Sequence, residues 1–430
     1  IFAEAGRNLD DYLDLRRLDP QWRCFYTDGS VLDLNDSLDQ TSANLRGMGA
    51  DERSVEGYSQ FLRYASRLDQ ISEKFFFWKP VGSVMDTLDF NGFSDPSVLN
   101  DLFAMRMGST VGETIRSYVD DPRVAQMLDH FTQYVGSSPL ASPAILCGIA
   151  SMQTNEGIWY PMGGTRAVPE ALVKLGTELG VTYRTKTDVA AIREENGEAK
   201  GLTLANGEAL DFDGVVSNCD SVRTYNELLD GQSRAPGWTG KFEAACSGVV
   251  LYLGLKERYE HLAHHNFVFS EDPEEEFAAI YDRGEPAEDL TAYVAAPSST
   301  EPGVAPAGGE ALYVLVHAPY LRPHHDWKRN FADYRRKIIR KLETTGGLTD
   351  LEERIETEYA LTPQTIHERY RELARGLQTQ QPPQRRAGPL SGRRGGPSGS
   401  GHADGADVWL DCRRCRQQGL RHRPGQCLRE

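Results

Sequence analysis

The sequence predicts an α/β protein in which one domain is assembled from separated segments and a mixed α+β domain is inserted between them. Two observations carry this. Between residues 157 and 230 a glycine-punctuated turn leads into a helix, a three-strand meander and an apolar run with a polar end. Helical and strand-like stretches interleave on both sides of that block, as they do when layers of helix and sheet share a core. At 430 residues the chain is long enough for two domains with sizeable cores, and no internal repeat organises it.

Taken in order, residues 1–150 read as a largely helical region facing substrate or membrane, with helices through much of 50–135. Residues 151–230 come next. Gly163 and Gly164 let the backbone turn tightly or approach a ligand with no Cβ in the way. Val168, Leu172, Leu175 and Leu179 then fall at helical spacing, with Pro169 in the first turn and Gly180 as the stop. Val181-Thr182-Tyr183 begins a strand, and Val189 and Ile192 continue the apolar pattern. Residues 194–200 form a polar turn, and 201–204 pair with 209–212 across Asn206-Gly207, a strong hairpin signal. Residues 214–218 read as a short buried strand. Asn218 sits at its carboxyl end, where open α/β sheets place ligands, or caps a helix begun by Asp220, Val222 and Tyr225. Residues 231–370 supply strands at 248–255, 291–296 and 312–317 and a helix near 331–342.

Composition narrows the function classes. A net charge of −16 argues against a nucleic-acid partner. No run of 18 apolar residues spans a bilayer, and Ile1-Phe2-Ala3-Glu4 lacks the charged and apolar regions of a signal peptide, so a cytoplasmic protein is expected. Cys24, Cys147, Cys219 and Cys246 read as core fillers, while Cys412-Arg413-Arg414-Cys415 has half of a zinc spacing with no second pair. His264-His265 and His324-His325 read as exposed loop residues, because adjacent histidines in a strand face opposite ways; no metal is expected. Arg335, Arg336, Lys337, Arg340 and Lys341 form the solvated face of a helix whose stripe is Phe331, Tyr334, Ile338 and Leu342. Residues 271–276 are a solvated acidic loop. Phe75-Phe76-Phe77-Trp78-Lys79 is the best candidate for an aromatic contact with a membrane surface.

Several of these stretches resemble the bacterial phytoene desaturase family of FAD-dependent carotenoid desaturases and oxidases. They are Trp159-Tyr160-Pro161 with Gly163-Gly164, Val189-Ala190-Ala191-Ile192, and Val215-Val216-Ser217-Asn218 followed by Tyr225. Upstream, residues 131–139 with Pro143-Ala144, and Val55-Glu56-Gly57-Tyr58 with Phe61-Leu62, are similar in the same order, so the likeness covers roughly 1–370. It implies a Rossmann-like FAD domain of the amine-oxidase and Rab GDP-dissociation-inhibitor type, with 151–230 in that domain and 231–370 in the substrate domain. On this resemblance Val189 presents its backbone to the FAD adenine, Gly163, Gly164 and Asn218 bind cofactor, and Trp159, Tyr160 and Pro161 line an isoprenoid tunnel. The implied reaction is desaturation of an acyclic C30 or C40 carotene such as phytoene or diapophytoene, with hydride passing to flavin at the inner face of the cell membrane. No residue stands in a motif that identifies the catalytic base. Two alternatives share the motifs: a diapocarotenoid oxidase or retinol saturase-like enzyme, and a flavin-free isoprenoid-binding protein.

The family's G-x-G-x-x-G turn has no counterpart here, so an N-terminal portion with its βαβ unit is expected to be missing. After Tyr370 the composition changes: residues 371–430 hold twelve Arg and no Lys and lose the apolar period. They are expected to be disordered. Codons compatible with 397–411, read one base later, spell HPGPG and MPMVLMSGWI, which resemble the family's C-terminal segment, so an out-of-frame tail is expected.

Overall fold

Alternation along one strand locates the centre of the molecule. In Glu310–Ala318 every second residue is buried and its neighbours are half-buried, which places the strand inside a sheet with one fully packed side. The computed structural model describes residues 1–75, 77, 100–101, 103–219, 224–229 and 245–370. Its strands are β1 (Leu15–Leu18), β2 (Trp22–Phe25), β3 (Val31–Leu34), β4 (Ile158–Pro161), β5 (Val189–Glu195), β6 (Glu198–Leu204), β7 (Ala209–Asp211), β8 (Ser247–Leu255), β9 (His265–Val268), β10 (Ala292–Ala295), β11 (Glu310–Ala318) and β12 (Ile355–Leu361). Seven of them form one sheet in the order β12-β8-β11-β10-β9-β2-β3. Neighbours are antiparallel except β2 and β9, which run parallel.

Each face of this sheet has its own core. On one, Val249, Leu251, Val314 and Val316 pack against Ile338 and Leu342 of the helix Trp327–Thr344. That helix is capped by Asp326, whose side chain accepts from the Arg329 N–H. On the other, Trp22, Cys24, Leu32 and Phe267 meet Tyr58, Phe61 and Leu68 of the helix Glu52–Phe75. Burying each such side chain contributes about 1.5–3 kcal/mol before the cost of ordering it. Over β8 and β12 this second face carries Tyr252 and Tyr359, 42% and 52% exposed.

Two smaller sheets flank the large one, β1 with β4 and the meander β5-β6-β7. The helix Ala167–Glu178 forms where its apolar spacing predicts, and Gly180 ends it at φ 87° while the Val181 N–H donates to the Gly176 carbonyl at 2.8 Å. The Asn206-Gly207 hairpin is present, with Gly207 at φ 85°. The strands at 248–255, 291–296 and 312–317 are β8, β10 and β11 to within two residues.

Other expectations are corrected. Residues 194–200 are not one polar turn: β5 and β6 run to a two-residue turn at Asn196 and Gly197, both at positive φ. Residues 181–183 and 214–218 are not strands, and Val216 is 84% exposed instead of buried. An apolar run becomes a buried strand only beside a partner, and no described strand pairs with either segment. Residues 1–150 hold helices but also β1, β2 and β3, two of which extend the large sheet. His264 is buried and His265 lies in β9, so neither is an exposed loop residue. Glu276 of the acidic run is buried too, accepting from Ser270 Oγ, Thr291 N and Thr291 Oγ1 at 2.7 Å each. The basic face at 335–341 is not simply solvated: Arg335 binds Glu358 and Glu352, Lys337 binds Glu288 and Lys341 binds Asp289. Most of the aromatic run 75–79 and all of the tail 371–430 lie outside the described residues.

Candidate functional site

Strand alternation brings a set of rings to one place. Trp22 and Phe267 stand on adjacent strands with centroids 4.4 Å apart, and His130 stacks edge-on to Phe267 at 4.5 Å. His130 comes from the turn 130–135, which follows the helix Pro122–Asp129, ends at Gly136 with φ 62° and folds over the sheet. With Gln133, Tyr134, Ile158, His265, Tyr293, Leu315 and His317 these residues wall a cavity of about 380 Å³.

Among the described residues the lining contains no Asp, Glu, Lys or Arg, and their titratable groups are neutral. Burial takes His130 down to about 3 and His317 to about 4. Burial, then the neighbouring His264, takes His265 to about 3. Burial pushes the Tyr134 phenol up to about 12. Three of the polar side chains are paired: His265 Nδ1 and the Tyr293 hydroxyl share a hydrogen bond of 2.7 Å, and the Tyr134 hydroxyl donates to Gln153 Oε1 at 2.8 Å. The described part of this wall has nothing to grip an ammonium, carboxylate or phosphate, and suits a neutral, flat or rod-like apolar ligand. A larger cleft of about 920 Å³ is lined by Arg116, Arg123 and several acids, and both arginines are paired within it, Arg123 with Asp28 at 3.1 Å and Arg116 with Glu274 at 3.8 Å.

The residues nominated from sequence are distributed around this cavity. Ile158 of β4 lines it, whereas Trp159 is 48% exposed, donates from Nε1 to the Glu156 carbonyl and lies under Arg17. Tyr160 is buried against His264 with centroids 4.6 Å apart, and its hydroxyl donates to Glu301 Oε2 at 2.9 Å. Pro161 is buried at the end of β4. Gly163 and Gly164 have φ of 86° and 81°, and a Cβ at either would meet no atom nearer than 3.9 Å. The left-handed backbone of this turn requires glycine at both positions, and among the described residues the space beside them is free of protein atoms. Val189 is half-buried at the head of β5, opposite Leu204. Asn218 is exposed in irregular backbone. Sequence reasoning missed His130, Phe267, Tyr293 and His317. The signal available was period two, with His265 and Phe267 on one face of a strand and Leu315 and His317 on one face of another.

Over residues 1–245 the chain matches the family of flavin containing amine oxidoreductases. It belongs to that family. Among curated relatives of this flavin-containing oxidoreductase, 4,4'-diapolycopene oxygenase of Methylomonas sp is 35% identical over 373 residues, 86% of this chain and 73% of the relative. A 4,4'-diaponeurosporene oxygenase of Staphylococcus haemolyticus (strain JCSC1435) is 33% identical over 372 residues, 86% and 72% of the two chains. Among solved structures, an oxidoreductase of Methanosarcina mazei aligns over 64% of this chain and 61% of its own with TM-score 0.44 at 18% identity. Reduced UDP-galactopyranose mutase aligns over 84% and 70% with TM-score 0.41 at 14% identity. The resemblance seen at residues 159–164 and 189–192 thus holds at the level of the family, and FAD is the cofactor that the family carries.

The described residues do not by themselves make a diphosphate site for that cofactor. The Gly163 N–H donates to Glu301 Oε2 at 2.9 Å and the Gly164 N–H to the Pro161 carbonyl at 2.9 Å, so both amides are taken. No strand-to-helix turn with the G-x-G-x-x-G spacing occurs among the described residues. Among them there is also no cluster of His, Cys, Asp and Glu able to hold a metal ion, and no helix long and apolar enough to cross a membrane.

Proposed function

We propose that this oxidoreductase oxidises a linear acyclic carotenoid whose polyene chain enters the cavity between Trp22, His130 and His317. The observation that supports this most is the cavity wall itself, which among the described residues is largely aromatic, neutral and free of carboxylates and cations. Amine and sugar-nucleotide substrates need a counter-charge or hydrogen-bonding sites there, whereas a hydrocarbon needs only shape and exclusion of water. The side chains hold and align the chain in a dry space; electron transfer belongs to the flavin.

Desaturation of phytoene or diapophytoene is the reaction implied by the resemblance. The names of the relatives favour its sister reaction, oxidation at the end of an already conjugated C30 chain. The full chain expressed with each substrate in a carotenoid-producing host separates the two. Terminal aldehyde or acid from 4,4'-diapolycopene or 4,4'-diaponeurosporene supports the oxidase. New double bonds in phytoene or diapophytoene support the desaturase, and no change in any carotenoid rejects both. Peripheral membrane docking belongs to this reading, because carotenes partition into bilayers. Phe103 and Met107, 81% and 69% exposed, are the described residues best suited to it.

A further inference from the structure

The same face of the large sheet carries a row of rings that starts at the cavity wall. His265 of β9, Tyr293 of β10, Tyr313 of β11, Tyr252 of β8 and Tyr359 of β12 stand on five consecutive strands. Tyr313, Tyr252 and Tyr359 are in direct register, and Tyr293 and His265 continue the row diagonally. Successive ring centroids are 5.8, 6.1, 5.4 and 6.0 Å apart. At the usual strand spacing of about 4.8 Å the row covers about 19 Å. Exposure rises along it, from half-buried His265 and Tyr293, which line the cavity, to Tyr252 at 42% and Tyr359 at 52% on the edge strand. The residues in register beside the row, Val250, Gly254, Ala311, Leu315 and Thr357, are all uncharged.

We propose that this tyrosine row is the outer half of the binding site, a track on which the distal part of a long polyene lies while its reacting end occupies the cavity. The inference rests on the carotenoid reading above and adds to it the residues that measure substrate length. Its grounds are continuity and chemistry. Each ring touches the next without a charge between them, and the first two rings are themselves walls of the cavity. Tyrosine offers a wide, rigid apolar face at low entropic cost, which suits a conjugated chain with no polar group along its length. A partner protein on the same face would be expected to meet charges at its rim, and the neighbouring register positions supply none.

The test uses the full chain and detergent-dispersed all-trans polyenes of 20 and 30 carbons, with binding read from the visible circular dichroism that a held polyene acquires. For the wild type the longer polyene should bind more tightly. In a Tyr252→Ser/Tyr359→Ser double variant, affinity for the 30-carbon polyene should fall about tenfold while that for the 20-carbon polyene stays the same. Tyr252→Phe/Tyr359→Phe keeps the rings and should bind as the wild type does, which separates loss of the track from loss of the fold. Equal affinity of wild type and Ser variant for the 30-carbon polyene overturns the track and leaves the carotenoid reading standing. Failure of the wild type to bind either polyene overturns both. A change in oligomeric state of the Ser variant with unchanged polyene binding would make the face a contact between copies, and also overturns the proposal.

Discussion

At the scale of single residues, the cavity depends on histidines that stay neutral. His130 is buried among Trp22, Phe267, Phe269 and His317, and its folded pKa of about 3 lies well below the 6.5 of an exposed imidazole. A group depressed in this way contributes stability that is present above pH 6.5 and is lost as pH falls toward the folded value. The unfolded chain then takes up a proton that the folded chain refuses. Each such histidine costs up to about 1.4 kcal/mol per pH unit across that window. His130→Phe retains a ring in the same packing and removes one titration. Urea unfolding at pH 7 and pH 5 should therefore show a smaller loss of stability for the variant than for the wild type; equal losses would mean that His130 is charged or exposed in the folded protein. His264, His265 and His317 are lowered by burial as well, so the variant should remain acid-sensitive.

At the scale of elements, helix Glu52–Phe75 shows how packing outweighs propensity. Val55, Tyr58, Phe61, Ala65 and Leu68 repeat at helical spacing and are all buried, which is why this helix was readable from the pattern. Gly57 sits between them, where alanine would favour the helix by about 1 kcal/mol. A Cβ there would lie 1.9 Å from the Tyr118 carbonyl oxygen, a backbone atom that moves only with its whole segment. Gly57→Ala is expected to destabilise by about 1–3 kcal/mol, the usual cost of overpacking, seen as a lower denaturation midpoint. An unchanged or raised midpoint would show that the loop at Tyr118 gives way freely. The β6–β7 hairpin was legible for a different reason: its turn is local, and Asn206-Gly207 fixes it without help from the rest of the chain. Residues 181–183 and 214–218 were misread because a strand is a relation between segments, and their own composition carries no information on whether a partner is present.

At the scale of the whole molecule, the large sheet draws β2 and β3 from the first 34 residues and the other five strands from 247–361. The parallel contact between β2 and β9 closes it, and the cavity lies on the face where these two sources meet. On the proposed reading, in which the enzyme docks on a membrane, that cavity must lie within reach of the bilayer. Phe103 and Met107, four residues apart, are 81% and 69% exposed, and Phe77 is 50% exposed. The basic residues of the 327–344 helix that pair with Glu288, Asp289, Glu352 and Glu358 are not free to attract anionic lipid, so docking should rest on apolar insertion and be insensitive to salt. Flotation with liposomes should recover the wild type in the lipid fraction at low and high salt, and Phe103→Ser/Met107→Ser should reduce that recovery several-fold. Equal recovery of the variant would place docking elsewhere.

The sequence by itself determined the family and the local elements. Motif order at residues 159–164 and 189–192, the apolar period of the Ala167–Glu178 and Trp327–Thr344 helices, and the hairpin at Asn206-Gly207 are all properties of neighbouring residues. Only the tertiary structure decided which side chains make the site. Trp22, His130, Phe267, Tyr293 and His317 are far apart in the chain and meet because strand order and register place them on one face. Burial then removes the charge from the histidines, a property that no single residue type carries and that depends on everything packed around it.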